Sequence, residues 1–153
     1  MPVVIGRRPA ELSSDAAIGP ASTAIVRRVT AFIRNVSFDA ADPYVLAVFW
    51  SEVVGHPVHP DCAPGDHEVV IEPPGGPRLY FQAVLESKSV KNRVHVCLQP
   101  ADLSRDAEID RLLAAGATLF ADHRTPDGAG WAVLQDPAGN EFCVTRADSE
   151  RHP

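Results

Sequence analysis

Residues 131–144 read W-A-V-L-Q-D-P-A-G-N-E-F-C-V, two apolar runs on either side of D-P-A-G-N at positions 136–140. Asp136, Pro137, Gly139 and Asn140 are turn formers, and Gly139 and Asn140 both tolerate positive φ, so the stretch predicts a β-hairpin. A lone hairpin leaves an apolar face in water and needs further strands or a helix against it. The chain before it offers both.

From Arg93, Val94, Val96 and Leu98 alternate with His95, Cys97 and Gln99, the period of two of a strand. Asp102 or Ser104 then caps a helix carrying Ile109, Leu112 and Leu113, which Gly116 ends. Residues 118–121 form a further strand and residues 125–130 a turn into the hairpin. The first half runs in the same order. Val36 and Phe38 alternate with Asn35, Ser37 and Asp39; Asp42 and Pro43 open a helix whose Leu46, Phe49, Trp50 and Val53 share one face before Gly55 stops it. A proline-interrupted edge segment at 56–60 precedes strands at 67–72 and 79–84, joined by a turn at 73–77. His95 follows Asn35 by 60 residues, and Asp102 follows Asp42 by the same interval.

A repeat of this length is best explained by two copies of one supersecondary unit. The expected fold is α+β: two tandem βαβββ modules, 30–85 and 92–147, forming one domain (30–147) whose curved mixed sheet surrounds a cleft. Residues 1–29 mix Pro, Gly, Ser and Ala without a sustained apolar period and read as a poorly ordered leader, with residues 3–5 a candidate edge strand. Residues 148–153 read as a tail.

The 153 residues suffice for one full core, and 45% hydrophobic with 22% charged content is that of an ordinary globular protein. A net charge of -6 and a pI near 5.4 argue against nucleic acid as a partner, since a grip on phosphates needs clustered Lys and Arg. Cys62, Cys97 and Cys143 are odd in number and lack a CxxC spacing, which points to a reducing, cytoplasmic compartment. No apolar run approaches the roughly 20 residues of a membrane span, and no apolar segment follows Arg7 and Arg8 as a secretory signal would require.

Strand parity assigns the cleft. With Val36, Phe38, Leu79, Phe81, Val96, Leu98, Phe142 and Val144 toward the helices, the opposite face receives Asn35, Ser37, Tyr80, Gln82, His95, Cys97, Glu141 and Cys143. His95 is a ligand, a general base or a hydrogen-bond donor lining the cleft; Glu141 is the other acid-base group apart from the thiols. Cys97 and Cys143 are a nucleophile or redox pair, or simply small buried apolar groups. Tyr80 and Trp131 are suited to stacking a planar ligand, Trp131 equally to the core. Lys91 and Arg93, with Asn92, stand at the rim, and His123 near the cleft mouth. His56, His59 and His67 with Asp61 and Cys62 have a metal-like composition, but their spacing matches no motif and the prolines place them on a surface loop.

A duplicated βαβββ unit ending in D-P-A-G-N-E-F-C-V resembles the vicinal oxygen chelate superfamily of glyoxalase I, bleomycin-resistance proteins and extradiol dioxygenases. It is most similar to its glyoxalase-like members of unassigned activity, through L-Y-F-Q at 79–82, K-N-R-V-H at 91–95, A-G-A-T at 115–118, A-D-H-R at 121–124 and G-W from 130. The resemblance covers residues 31–146. It implies that metal-binding members hold a divalent ion with His, Gln or Glu from the first and fourth strands of each module. Here those positions match Asn35, Gln82 (or Tyr80), His95 and Cys143, with Cys143 where a Glu is usual and Glu141 a possible substitute. One imidazole, an amide and a thiolate suit zinc better than Ni, Fe or Mg.

The expected function is therefore binding of a small molecule in the cleft by Asn35, Ser37, Tyr80, Gln82, His95, Cys97, Trp131 and Cys143, with no tightly held metal or other cofactor, as in bleomycin-resistance sequestration or with an unassigned activity. The alternative is a metal-dependent lyase, isomerase or dioxygenase working through an enediolate or vicinal-oxygen chelate. There His95 and Glu141 would be catalytic and one divalent ion, zinc first, would sit on Gln82, His95, Glu141 and Cys143. A homodimer is expected over a monomer.

Overall fold

The computed structural model describes residues 31–151; the expected leader and the candidate strand at 3–5 lie outside the described residues. The first helix, α1 (Pro43–Val54), forms for the reasons its sequence gives. The Asp42 carboxylate accepts from the Val45 backbone N–H at 3.0 Å, Pro43 fills the first turn, and Gly55 closes the helix at φ 63°. Leu46, Ala47, Phe49 and Trp50 are buried, while Val45 and Val48 on the other face are exposed.

That apolar stripe lies on a sheet of β1 (Asn35–Ala40), β2 (Glu68–Ile71) and β3 (Arg78–Ala83), in the order β1-β3-β2, with β1 parallel to β3 and β2 antiparallel to it. Val58 makes an isolated antiparallel bridge to Ile71 on the outer side of β2. The second half holds β4 (Cys97–Leu98), α2 (Arg105–Ala114), β5 (Thr118–Asp122), β6 (Ala132–Gln135) and β7 (Glu141–Val144), its strands ordered β4-β7-β6-β5. β4 is parallel to β7, and the others are antiparallel. With Val58 standing for a fourth strand, the two sheets have one topology, as the repeat predicts. They are two open sheets rather than one continuous curved one.

One core joins them. Trp50 of α1 lies 4.8 Å from Phe38 of β1 and 5.4 Å from Phe142 of β7, ring centre to ring centre. The residues assigned to the helix side by parity, Phe38, Leu79, Phe81, Phe142 and Val144, are buried there.

Of the two expected caps, Ser104 rather than Asp102 caps α2, accepting from the Ala107 N–H at 3.3 Å, so the offset between the caps is two residues longer than that between the strands. The second half departs from the expectation in three places. Leu113 is exposed and adds little to the core. The strand expected from Arg93 pairs only at its end: Val96 and Leu98 carbonyls accept from Cys143 and Thr145 N–H groups, but the Asn92 N–H donates to the Glu141 carboxylate and Val94 is 85% exposed. In the 136–140 turn only Gly139 takes positive φ, 83°, whereas Asn140 donates from its side chain to Asp136. Residues 148–151 of the tail form a short helix, α3 (Asp148–Arg151).

Candidate functional site

The open face of β4, β7 and β6 floors a cavity of about 340 Å3. His95, Cys97 and Cys143 line one part of it; His123, Trp131 and Val133 line another, with Lys91, Glu141 and Thr145 completing the wall. The floor is set by register: Cys97 and Cys143 are direct partners across the parallel β4 and β7, and Val133 partners Cys143 from β6. Side chains opposite one another on adjacent strands share a face, and this brings both thiols together. The His95 imidazole joins them, the three donor atoms lying within 4.8 Å of one another. Among the described residues this is the one group of His, Cys, Asp or Glu close enough to share a metal ion; His56, His59 and His67 do not form another.

The thiols differ. Cys97 is exposed, while Cys143 is buried, and burial, then the neighbouring Cys97, pushes its thiol up to about 11 against a smaller pull from Lys91. The buried Cys143 thiol is therefore a protonated group at neutral pH, not a ready nucleophile.

Glu141 is committed elsewhere. Its carboxylate accepts from Lys88 Nζ at 3.0 Å and from the Asn92 N–H at 3.0 Å. Burial by itself would raise this carboxyl, but the two donors outweigh it and hold it at about 2. It stays ionised and salt-bridged, which removes it as a proton carrier near neutral pH. Lys88 lies 53 residues away, and no spacing signal in the sequence ties the two.

Trp131 is 45% exposed, so its ring belongs to the pocket rather than the core. It packs on His123 at 5.0 Å between ring centres, tilted by 36°. The residues before it are held by Arg105 of α2, whose buried guanidinium donates from Nη1 to the carbonyls of Gly128, Ala129 and Gly130 at 3.1, 2.7 and 3.0 Å. Gly130 adopts φ 82° and sits so close to the His123 carbonyl that no Cβ would fit. Arg105, Val133 and Thr145 were not among the sequence candidates. Alternation with Trp131 could have pointed to Val133; nothing local marks Arg105.

The remaining expected residues lie on the first sheet. Asn35 and Gln82 are exposed on β1 and β3, and Tyr80, half-buried, has its hydroxyl raised by the hydrogen-bonded Glu68 of β2. Ser37 meets His95 in a second, 290 Å3 cavity between β1 and the segment leading into β4. None of these four lines the pocket of Trp131 and the thiols.

A hard octahedral ion wants several oxygen or nitrogen donors. With Glu141 bound to Lys88, and Asn35 and Gln82 on the other sheet, the donors beside His95 are two sulfurs. The residues do not fit an ion of the manganese or magnesium kind.

A model of the glyoxalase-like domain matches residues 35–145. Solved structures share the fold. Oxidase ChaP-H2 is 23% identical at a TM-score of 0.57, over 77% of this chain and 94% of its own. A glyoxalase/bleomycin resistance protein/dioxygenase family enzyme from Burkholderia phytofirmans PsJN is 21% identical at 0.56, over 74% and 97%. The fosfomycin resistance protein FosX from Listeria monocytogenes, complexed with Mn(II) and 1S,2S-dihydroxypropylphosphonic acid, is 13% identical at 0.60, over 81% and 96%. At these identities the likeness is one of fold. No functionally curated protein matches the sequence. No helix among the described residues is long and apolar enough to cross a membrane. The family match spans well over half of the 153 residues and agrees with the repeated sheet topology: the chain belongs to the glyoxalase-like domain family of the vicinal oxygen chelate superfamily.

Proposed function

We propose that this protein binds a small, partly planar molecule in the pocket on β4, β7 and β6, without a hard divalent ion. The observation that carries the reading is the pairing of an exposed Trp131 with His123 over a floor of Val133, Cys97 and Cys143. An aromatic face above an apolar floor, with few polar groups to fix orientation, is the ordinary make-up of a ligand site. Lys91 at the wall favours a ligand with an anionic or strongly accepting end. The lyase or isomerase alternative needs an ion to polarise two vicinal oxygens and a carboxylate to move the proton. The salt-bridged Glu141 and the sulfur donors beside His95 weigh against it.

A second copy of the chain is the proposed partner. Leu85, Val90 and Val94 are 103%, 75% and 85% exposed along the connection between the two sheets, and apolar exposure of that extent is usual at an interface. A homodimer would cover it, and a monomeric mass in solution would count against this part of the reading.

The test is uptake of anilinonaphthalene sulfonate, an anionic dye with a planar naphthalene ring, by chelator-treated protein, followed by fluorescence. Saturable binding weakened about tenfold or more by Trp131→Ala, about 1.4 kcal/mol, is the expected result. Binding that is indifferent to Trp131→Ala would place the ligand site elsewhere.

A further inference from the structure

We infer that the floor of this pocket is a soft-metal site: His95, Cys97 and Cys143 form a three-ligand centre for a thiophilic ion of the zinc class, its fourth position open to the cavity. The inference rests on the same pocket as the ligand reading and goes beyond it, since that reading needs no metal.

The argument begins with the mismatch. An oxygen-ligated divalent ion has no adequate donors here, yet the imidazole and two sulfurs lie within 4.8 Å of one another. Zinc–sulfur bonds of about 2.3 Å at tetrahedral angles put two sulfurs about 3.8 Å apart. The trio thus has to close by no more than about 1 Å, a change that side-chain rotation about Cα–Cβ supplies without moving either strand. Strand pairing fixes the backbone half of the geometry, because Cys97 and Cys143 are locked as neighbours by the Cys143 N–H to Val96 carbonyl bond at 2.9 Å. Two thiolates and one imidazole leave a tetrahedral ion one site short, which is the make-up of catalytic rather than closed structural zinc. Soft sulfur ligands select zinc, cadmium or copper(I) over manganese or magnesium.

Binding is balanced in charge and protons. Each thiol that is protonated in the free protein loses its proton to solvent as its Sγ bonds to the ion, and the imidazole ligates as a neutral ring, so two thiolates balance the charge of Zn2+ and leave a neutral centre. No electron is transferred.

The experiment uses the full chain, reduced and stripped of metal, titrated with Cd2+, Zn2+ and Mn2+ with no organic ligand present. One equivalent of Cd2+ should give a thiolate-to-metal charge-transfer absorption, displaced by Zn2+ and not by Mn2+. Loading with Zn2+ should slow iodoacetamide alkylation of Cys97 at least tenfold and leave Cys62 unchanged. Cys97→Ser and His95→Ala, both at exposed positions, should weaken uptake by at least a hundredfold with melting temperature unchanged in the metal-free state, whereas Cys62→Ser should bind as the parent does. Uptake unaffected by Cys97→Ser, or Mn2+ competing on equal terms, would overturn the proposal. Dye binding in chelator reports the ligand pocket separately, so either reading can fail while the other stands.

Discussion

Trp50 Nε1, on the first helix, donates to Asp136 Oδ2, in the hairpin turn 86 residues later, at 3.1 Å in the buried core. The other carboxylate oxygen accepts from the backbone N–H groups of Ala138 and Asn140, at 3.0 and 2.9 Å. One side chain therefore shapes the turn and ties it to the opposite half of the domain. Burial raises the Asp136 carboxyl above its ordinary value against the pull of these donors, which makes each donor valuable.

Trp50→Phe keeps most of the ring contacts with Phe38 and Phe142 but removes the Nε1 donor. The expected cost is about 1–3 kcal/mol, the penalty for stripping a partner from a buried polar group. Urea denaturation measures it. Asp136→Ala combined with Trp50→Phe should cost less than the two single changes added together, because both remove the same bond; strict additivity would show that the bond contributes nothing.

Acid should expose the second long-range tie. Glu141 has an ordinary pKa of 4.5 and about 2 in the folded protein. A carboxyl lowered on folding binds more protons unfolded than folded, so its contribution is full above about 4.5 and is lost as pH falls from there toward 2. Melting temperature followed between pH 6 and pH 3 should drop more steeply for the parent than for Glu141→Gln, which keeps the shape and cannot ionise. Parallel curves would mean that the Lys88 and Asn92 contacts do not act on Glu141 in solution.

The sequence showed the fold because the fold is written in local signals: alternation in β1 and β7, a cap and a proline before α1, and the same order twice. Parity then placed Cys97, Cys143 and His95 on one face; Cys97 and Cys143 are register partners, and the His95 imidazole lies within 4.8 Å of both sulfurs. What local patterns cannot carry is the distance between faces. Asn35, Tyr80 and Gln82 share parity with the thiols yet sit on a separate sheet, because the two sheets are joined through their buried sides by Trp50 and Phe142 and not by strand pairing. Alternation also says nothing of where pairing stops. The strand expected from Arg93 pairs only near Cys97, while the Asn92 N–H before it goes to the Glu141 carboxylate, a contact spanning 49 residues.

Arg105 should prove a positioning residue for the pocket. Its guanidinium holds three successive carbonyls of the turn that delivers Trp131 through Nη1 while Nε donates to Asp106, two directions that the single ammonium of lysine cannot serve together. Arg105→Lys is expected to cost about 1–3 kcal/mol of stability and to raise amide hydrogen exchange in residues 125–131. Normal protection there would remove Arg105 from any role in presenting Trp131.

Gly130→Ala is the sharper probe of the same turn. At φ 82° an added methyl is strained, and it would also run into the His123 carbonyl, which is backbone and cannot rotate aside. The turn must open between His123 and Trp131, breaking the hydrogen bond from the His123 N–H to the Trp131 carbonyl at 2.9 Å. A loss of at least about 1 kcal/mol is expected, and with the two rings parted, weaker dye binding than in Gly128→Ala. Gly128 also has positive φ, 81°, but has open space around it, so that variant carries the backbone strain without the clash. Equal losses in the two variants would assign the whole effect to backbone conformation and none to the contact that places Trp131 on His123.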